Sequence, residues 1–353
     1  MATPPRVYNL AEIERALPDL DTVIASQAAA FIAYSSGRAD VAPVQHLDFG
    51  NPGDYCVKSG FLKGGASFVV KVAGGGFHNN AAKGLPTYDG CMLVFSQKTG
   101  LLEGLLLDKG YLTDLRTAAA GALAARVLAP ADLECIGVVG TGIQCRWQLR
   151  LLRAATRCRR VLICGRSAAK LDAAKRDVER GWPEDGGDAG GGFRVETTRD
   201  VADVCRRCRL IVTTTSAKAP VLTAAHAAML RPGTHITAMG SDGIGKQELD
   251  AAVLARAAVV VADSREQCCS FGEVSHALAA GALARAAVRE LGELVSGAGG
   301  ANGDAAAARG REGISIFDST GVAVQDVAVA ELAFNTLERR GGGGSGAGAA
   351  SRL

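Results

Sequence analysis

From about Cys135 to Asp318, short apolar runs rich in β-branched residues alternate with longer Ala/Leu-rich segments at helical spacing. The runs are Cys135–Gly140, Val161–Gly165, Leu210–Thr215, His235–Gly240, Val259–Asp263 and Ile314–Asp318. Strands apolar on both sides with helices between them predict a parallel sheet covered on both faces, a doubly wound Rossmann-type α/β domain. The first ~110 residues lack this rhythm, which predicts a separate α+β substrate or dimerisation domain. Phe61–Val72 and Cys91–Phe95 read there as strands, with turn chemistry at Gly74–Gly76 and Lys83–Pro86. A helix over Ala328–Arg339 follows the last Rossmann strand and is expected to pack back on the first domain. The expected division is 1–112 with 320–340, then 113–319, then a flexible tail over 341–353.

Composition narrows the class. The 353 residues are 48% hydrophobic and 21% charged, which fits a folded chain. Glycine-rich stretches at Gly181–Gly192, Ser296–Gly310 and Gly341–Ala350 read as surface insertions and a linker. A net charge of +3 supplies no basic surplus for a phosphate backbone, so nucleic acid is not an expected partner. No apolar run has the length of a membrane helix, and the start carries Arg6, Glu12, Glu14, Arg15 and Asp19, unlike a signal peptide. A soluble intracellular protein with reduced cysteines is expected. Cys205 and Cys208 form a CxxC with no second pair at zinc spacing, so no metal site is expected.

Val138-Val139-Gly140-Thr141-Gly142-Ile143-Gln144-Cys145 is a strand running into a Gly-x-Gly turn and then a helix. The first glycine makes the turn, and the second lets backbone N–H groups approach a pyrophosphate. Cys145, at the third fingerprint position, is small enough for close helix–strand packing. The candidate dinucleotide site therefore includes Gly140, Thr141, Gly142, Ile143 and Gln144, together with Thr215 at the end of a later strand. The next strand ends Cys164-Gly165-Arg166-Ser167, without the acid that would hold a ribose 2′-hydroxyl. Arg166 and Ser167 suit a 2′-phosphate, favouring NADP over NAD; the alternative is an exposed loop arginine.

Thr113 to Ala129 reads as a helix with Thr113 as N-cap and Arg116 in its first turn, where arginine and free amides together suit a carboxylate. Lys71, inside the apolar run Phe68–Val72, is either an edge-strand charge or aimed into a cleft. Asp242 follows the strand His235–Gly240, and ligands of open α/β sheets bind beyond the carboxyl ends of strands. An Asx-turn or helix cap is its bland alternative.

These segments resemble the ornithine cyclodeaminase/mu-crystallin family over nearly the whole chain. The resemblance runs through Lys71-Val72, Gly84-Leu85-Pro86, Leu112–Ala119, Gly140–Gln144, Gly240–Leu249 and Asp318–Asp326. It implies a homodimer in which Lys71 and Arg116 bind an amino-acid carboxylate. Asp242 would be the general acid/base, with hydride moving between Cα and a nicotinamide, NADP or NAD. Lys71 is carried as both a catalytic and a substrate-binding candidate. Two positions depart from the pattern. Lys58 stands thirteen residues before Lys71, where the family's ornithine cyclodeaminases have a glutamate for the side-chain ammonium, and Gln45 falls near an additional arginine. Lys58, as a substrate-binding residue, tolerates a neutral or acidic substrate better than ornithine.

Three functions follow. The first is an NADP(H)-linked imine reductase or amino-acid dehydrogenase acting on an amino acid or cyclic imine. The second is ornithine cyclodeamination to proline and ammonia, in which Glu103 would be a conceivable replacement glutamate. The third is a non-catalytic NADPH-dependent ligand-binding protein. The terminal Ser351-Arg352-Leu353 resembles a peroxisomal address, which implies an import receptor in a eukaryotic host and a cytoplasmic location otherwise.

Overall fold

The computed structural model describes residues 4–50, 53–182, 192–297 and 313–341. The expectations for most of the three glycine-rich stretches, and for Ser351-Arg352-Leu353, lie outside the described residues. A first sheet holds β1 (Arg6–Asn9), β2 (Ala39–Val41), β3 (Gln45–Asp48), β4 (Asp54–Leu62), β5 (Ser67–Gly75), β6 (Asp89–Ser96) and β7 (Leu102–Leu107). Its order is β1-β7-β6-β5-β4-β2, with β3 also paired to β4. All its pairs are antiparallel except β1 with β7.

The second sheet is parallel throughout. It contains β8 (Ile136–Val139), β9 (Arg160–Cys164), β10 (Arg194–Thr198) and β11 (Leu210–Thr213). After β12 (Lys218–Leu222) the sheet takes up β13 (His235–Ala238), and after β14 (Gln247–Leu249) it takes up β15 (Ala257–Ala262), β16 (Val288–Glu290) and β17 (Ile314–Asp318). The order β10-β9-β8-β11-β13-β17-β15-β16 reverses direction between β8 and β11, which opens a crevice at their carboxyl ends. Strands β12 and β14 pair with each other alone.

The helices are α1 (Leu10–Ala16), α2 (Leu20–Ser35), α3 (Tyr111–Leu128), α4 (Ile143–Ala155), α5 (Ala168–Arg180) and α6 (Val201–Arg207). They continue as α7 (Ala224–Ala227), α8 (Ala251–Ala255), α9 (Arg265–Ser270), α10 (Glu273–Ala279), α11 (Leu291–Ser296) and α12 (Ala323–Gly341). Helix α12 begins five residues before the expected Ala328 and packs on β4, β5, α2 and α3. The Ala-rich α3 lies between the sheets, against α2 on one side and α4, β13 and β17 on the other. None of the helices is long and apolar enough to cross a membrane, among the described residues.

Four expectations need correction. The run Phe61–Val72 is not one strand, because Lys63–Ala66 form a turn with Gly64 at φ +77° between β4 and β5. Gly74 and Gly75 belong to β5, so the chain turns only after them, at Gly76. The edge strand β10 follows the first glycine-rich stretch, where no strand was read. Thr113 is not an N-cap: α3 starts at Tyr111 behind Gly110, and Asp108 accepts a hydrogen bond from the Leu112 amide. Arg116 therefore lies in the second turn, past the free amides, and its charge is met by a side chain.

Candidate active site

Alternation along β4 and β5 sends Lys58 and Lys71 to the same, inner face of the first sheet, and they stand directly opposite each other in register. The thirteen-residue spacing is thus a cross-strand pairing of two cations, an arrangement that costs stability unless anions compensate. Both are buried, and Arg116 of α3 joins them. One carboxylate answers this group: Asp326, in the first turn of α12. Lys71 Nζ lies 3.0 Å from each oxygen of Asp326, and Arg116 Nε donates to Oδ1 at 2.9 Å. Arg116 Nη1 also reaches Gln325 Oε1 at 3.5 Å. Burial pulls the Lys71 ammonium down to about 7, with Asp326 opposing the shift. Burial, and then the neighbouring Arg116, also lower Lys58. Lys71, then Arg116 and Lys58, hold Asp326 below the usual carboxylate range against its own burial.

Lys58 donates to the carbonyls of Thr320 and Gly321, at 3.3 and 2.5 Å. That loop is fixed from beneath by Asp263 at the end of β15, which accepts from Ser319, Thr320 and the Gly321 amide. Gly321 has φ +79°, and a Cβ there would lie 2.9 Å from Arg116 Nη1 and 3.2 Å from Lys58 Nζ. Any side chain at 321 would fill the space between the two cations.

A cavity of about 560 Å³ opens on this cluster. One wall carries Lys58 and Arg116; the other carries Ile143, Gln144, Met239 and Asp242 from the second sheet's carboxyl edge. Lys71 does not line it and sits behind, tied to Asp326. Asp242 is half-exposed and paired with Lys246 at 2.5 Å. Thr113 and Asp114 also face the cavity. Asp114 accepts from Gln144 Nε2 at 2.7 Å and is raised by burial to about 6. Glu103 is exposed on β7 and lies outside this lining, and Gln45 is exposed on β3.

The nucleotide turn has the features a dinucleotide requires. Gly140 has φ +131°, and a Cβ there would fall 2.5 Å from Thr214 Oγ1, so no other residue fits. Above Gly142, the N-cap of α4, a Cβ would meet nothing within 4 Å, which leaves room for a phosphate. The first turn of α4 carries no acid. Thr141 packs its methyl over Gly165, the residue before Arg166. Arg166 is exposed, and Ser167 caps α5 by accepting from the Lys170 amide at 3.4 Å. The Thr215 amide donates to buried Glu248 at 2.6 Å, and Glu248 also takes the Gly240 amide at 2.8 Å. Glu248 thus joins the ends of β11 and β13, from which Thr215 and Asp242 project.

Sequence reasoning gave no role to Asp326, Asp114, Met239 or Glu248. The signal for Asp326 was a lone acid in the apolar start of a helix, Ala323-Val324-Gln325-Asp326-Val327.

Comparison with known proteins agrees with this architecture. The family model described as "Ornithine cyclodeaminase/mu-crystallin family" matches residues 6–341. An uncharacterized cyclodeaminase, y4tK, of Sinorhizobium fredii is 37% identical over 96% of this chain and 97% of its own. The iminosuccinate reductase of Paracoccus denitrificans, solved in complex with NAD+, superposes with a TM-score of 0.79 at 30% identity, covering 96% of this chain and 97% of that one. An archaeal alanine dehydrogenase dimer with bound NAD superposes with a TM-score of 0.80 at 31% identity, again over 96% and 97%. The chain belongs to the ornithine cyclodeaminase/mu-crystallin family.

Proposed function

We propose that this protein is an NAD(P)-linked imine reductase or amino-acid dehydrogenase, acting at the C–N centre of an amino acid or imine. The observation that carries the reading is the cavity itself, which has Ile143 and Gln144, the start of α4 just after the nucleotide turn, on one wall and buried cations on the other. When bound, the nicotinamide exchanges a hydride with the substrate Cα. The chain's own part is to hold the substrate carboxylate at Arg116, backed by Lys71 and Asp326, and to exclude water with Met239 and Ile143. Asp242, at the cavity wall, delivers or removes the proton at the substrate nitrogen.

Gly140, Thr141, Gly142, Ile143, Gln144 and Thr215 form the proposed dinucleotide cradle. Arg166 and Ser167, with no acid at the end of β9, favour a 2′-phosphate and hence NADP(H). Ornithine cyclodeamination is disfavoured because, among the described residues, no glutamate lines the cavity. Its two carboxylates, Asp114 and Asp242, are engaged by Gln144 and Lys246. The proposed domain division, 1–112 with 320–340 against 113–319, rests on the packing of α12 on the first sheet. A homodimer is proposed through the outer face of that sheet, where Val57, Val70, Val72, Leu93 and Phe95 form a half-buried apolar row.

The experiment incubates the protein with 2-oxo acids plus ammonium, cyclic imines and L-ornithine, with NADPH or NADH (NAD+ for ornithine). Stoichiometric cofactor oxidation with an imine, faster for NADPH, is expected. Stoichiometric proline and ammonia from ornithine without net cofactor turnover would overturn the reading.

A further inference from the structure

The wall of the cavity opposite the nucleotide turn presents two cations, and only one of them has a carboxylate partner among the described residues. Arg116 shares Asp326 with Lys71. Lys58 has the neutral carbonyls of Thr320 and Gly321, which orient its ammonium without balancing its charge. The remaining charges around the cavity are committed elsewhere. Asp242 is paired with Lys246, and Asp114, on α3 with Arg116, accepts from the Gln144 side-chain amide. A buried ammonium beside a guanidinium is unfavourable in a low-dielectric pocket until an anion reaches it. The depression of Lys58 by burial and by Arg116 has the same origin.

Resting on the function proposed above, one carboxylate of the substrate goes to Arg116. We infer that Lys58 reads a second one, so that the substrate is a short 2-amino dicarboxylate or its 2-imino counterpart. The geometry over Gly321 limits its length. Arg116 Nη1 and Lys58 Nζ lie 2.9 and 3.2 Å from a single point, the Cβ that Gly321 lacks. Two carboxylates held one by each cation can be separated by only a few carbons, as in aspartate or glutamate. A diamino acid brings an ammonium to the same place and meets like charge. A monocarboxylate leaves Lys58 unanswered. The redox step is unchanged: the C=N bond takes a hydride at Cα and a proton at nitrogen, and NAD(P)H is oxidised.

The test measures kcat/KM of the cofactor-loaded enzyme for L-aspartate, L-glutamate, L-alanine and L-ornithine, beside the Kd of succinate and of propionate read by calorimetry. An acidic amino acid should be preferred over alanine by at least tenfold, and succinate should bind at least tenfold tighter than propionate. Lys58→Met should cut the acid-to-alanine ratio tenfold or more, and Lys58→Arg should keep most of it. Equal turnover of alanine and the acids, or equal losses for both in Lys58→Met, would overturn the inference and assign Lys58 to the shared carboxylate. Absence of cofactor-coupled turnover with every amino acid and imine would instead overturn the proposed function. The succinate and propionate affinities would then still decide for or against a dicarboxylate site.

Discussion

At the scale of single residues, the site is a balance between burial and charge. Lys58, Lys71 and Arg116 would not be stable together on an inner sheet face without Asp326, which touches two of them. Asp326→Asn should destabilise the fold by about 3 kcal/mol, because it leaves buried cations unpaired. The sign with pH follows from Lys71, whose folded value of about 7 lies below its ordinary 10.5. Asp326 opposes the lowering of Lys71, so removing it makes protonated Lys71 costlier still, a cost felt at pH 6 and absent at pH 9, where Lys71 is neutral in parent and variant alike. The Tm loss should therefore be larger at pH 6 than at pH 9, and a loss independent of pH would contradict the charge balance. Asp242→Asn should lower kcat by roughly a hundredfold or more while leaving cofactor Kd within about twofold. Undiminished turnover would remove Asp242 from the proton step. Lys71 was legible in the sequence because a charge inside an apolar β-branched run stands out, and Lys58, thirteen residues before it, only through the family resemblance. Asp326 was not, because an acid near a helix start is ordinary.

At the scale of elements, the carboxyl ends of the parallel strands are tied by buried carboxylates. Glu248 spans β11 and β13, and Glu273 accepts from the Glu248 and Leu249 amides. Asp318, closing β17, accepts from Val274 and is raised by burial to about 7. A carboxyl raised in the fold favours the native state below its unfolded value near 4, and that contribution is lost as pH climbs through about 7. Relative to the parent, Asp318→Asn should therefore gain stability between pH 5 and pH 8, on the order of a few kcal/mol, by denaturant titration. A constant difference would contradict the shift. The strands these carboxylates join were readable, because apolar β-branched runs of full burial leave few alternatives. Ile314–Asp318 matches to the residue. The antiparallel sheet was harder. Its edge strands β1, β2 and β3 have four residues or fewer and no apolar pattern, and the turn at Lys63–Ala66 lies between two strands that read as one. The misplaced start of α3 came from reading Thr113 as a cap when Gly110 supplies the bend without one.

At the scale of the molecule, two sheets share α3 as a common wall, and the active cavity lies where the inner face of one meets the carboxyl edge of the other. The outer face of the first sheet is left with an apolar row, Val57, Val70, Val72 and Leu93, with Phe68 and Phe95 in ring contact at 5.6 Å. A second copy covering it would bury this row. Leu93→Glu should convert a dimer into a monomer by light scattering. A parent protein that is already monomeric at micromolar concentration would exclude this interface.

In the proposed reaction the cofactor is consumed, one equivalent per turnover, by hydride transfer to the substrate Cα. The most direct measurement supplies NAD(P)H deuterated at the transferring position with an imine generated from a 2-oxo dicarboxylate and ammonium. One deuterium is expected at Cα of the released amino acid for each equivalent of oxidised cofactor. Product without deuterium, or product formed while the cofactor pool stays reduced, would contradict it.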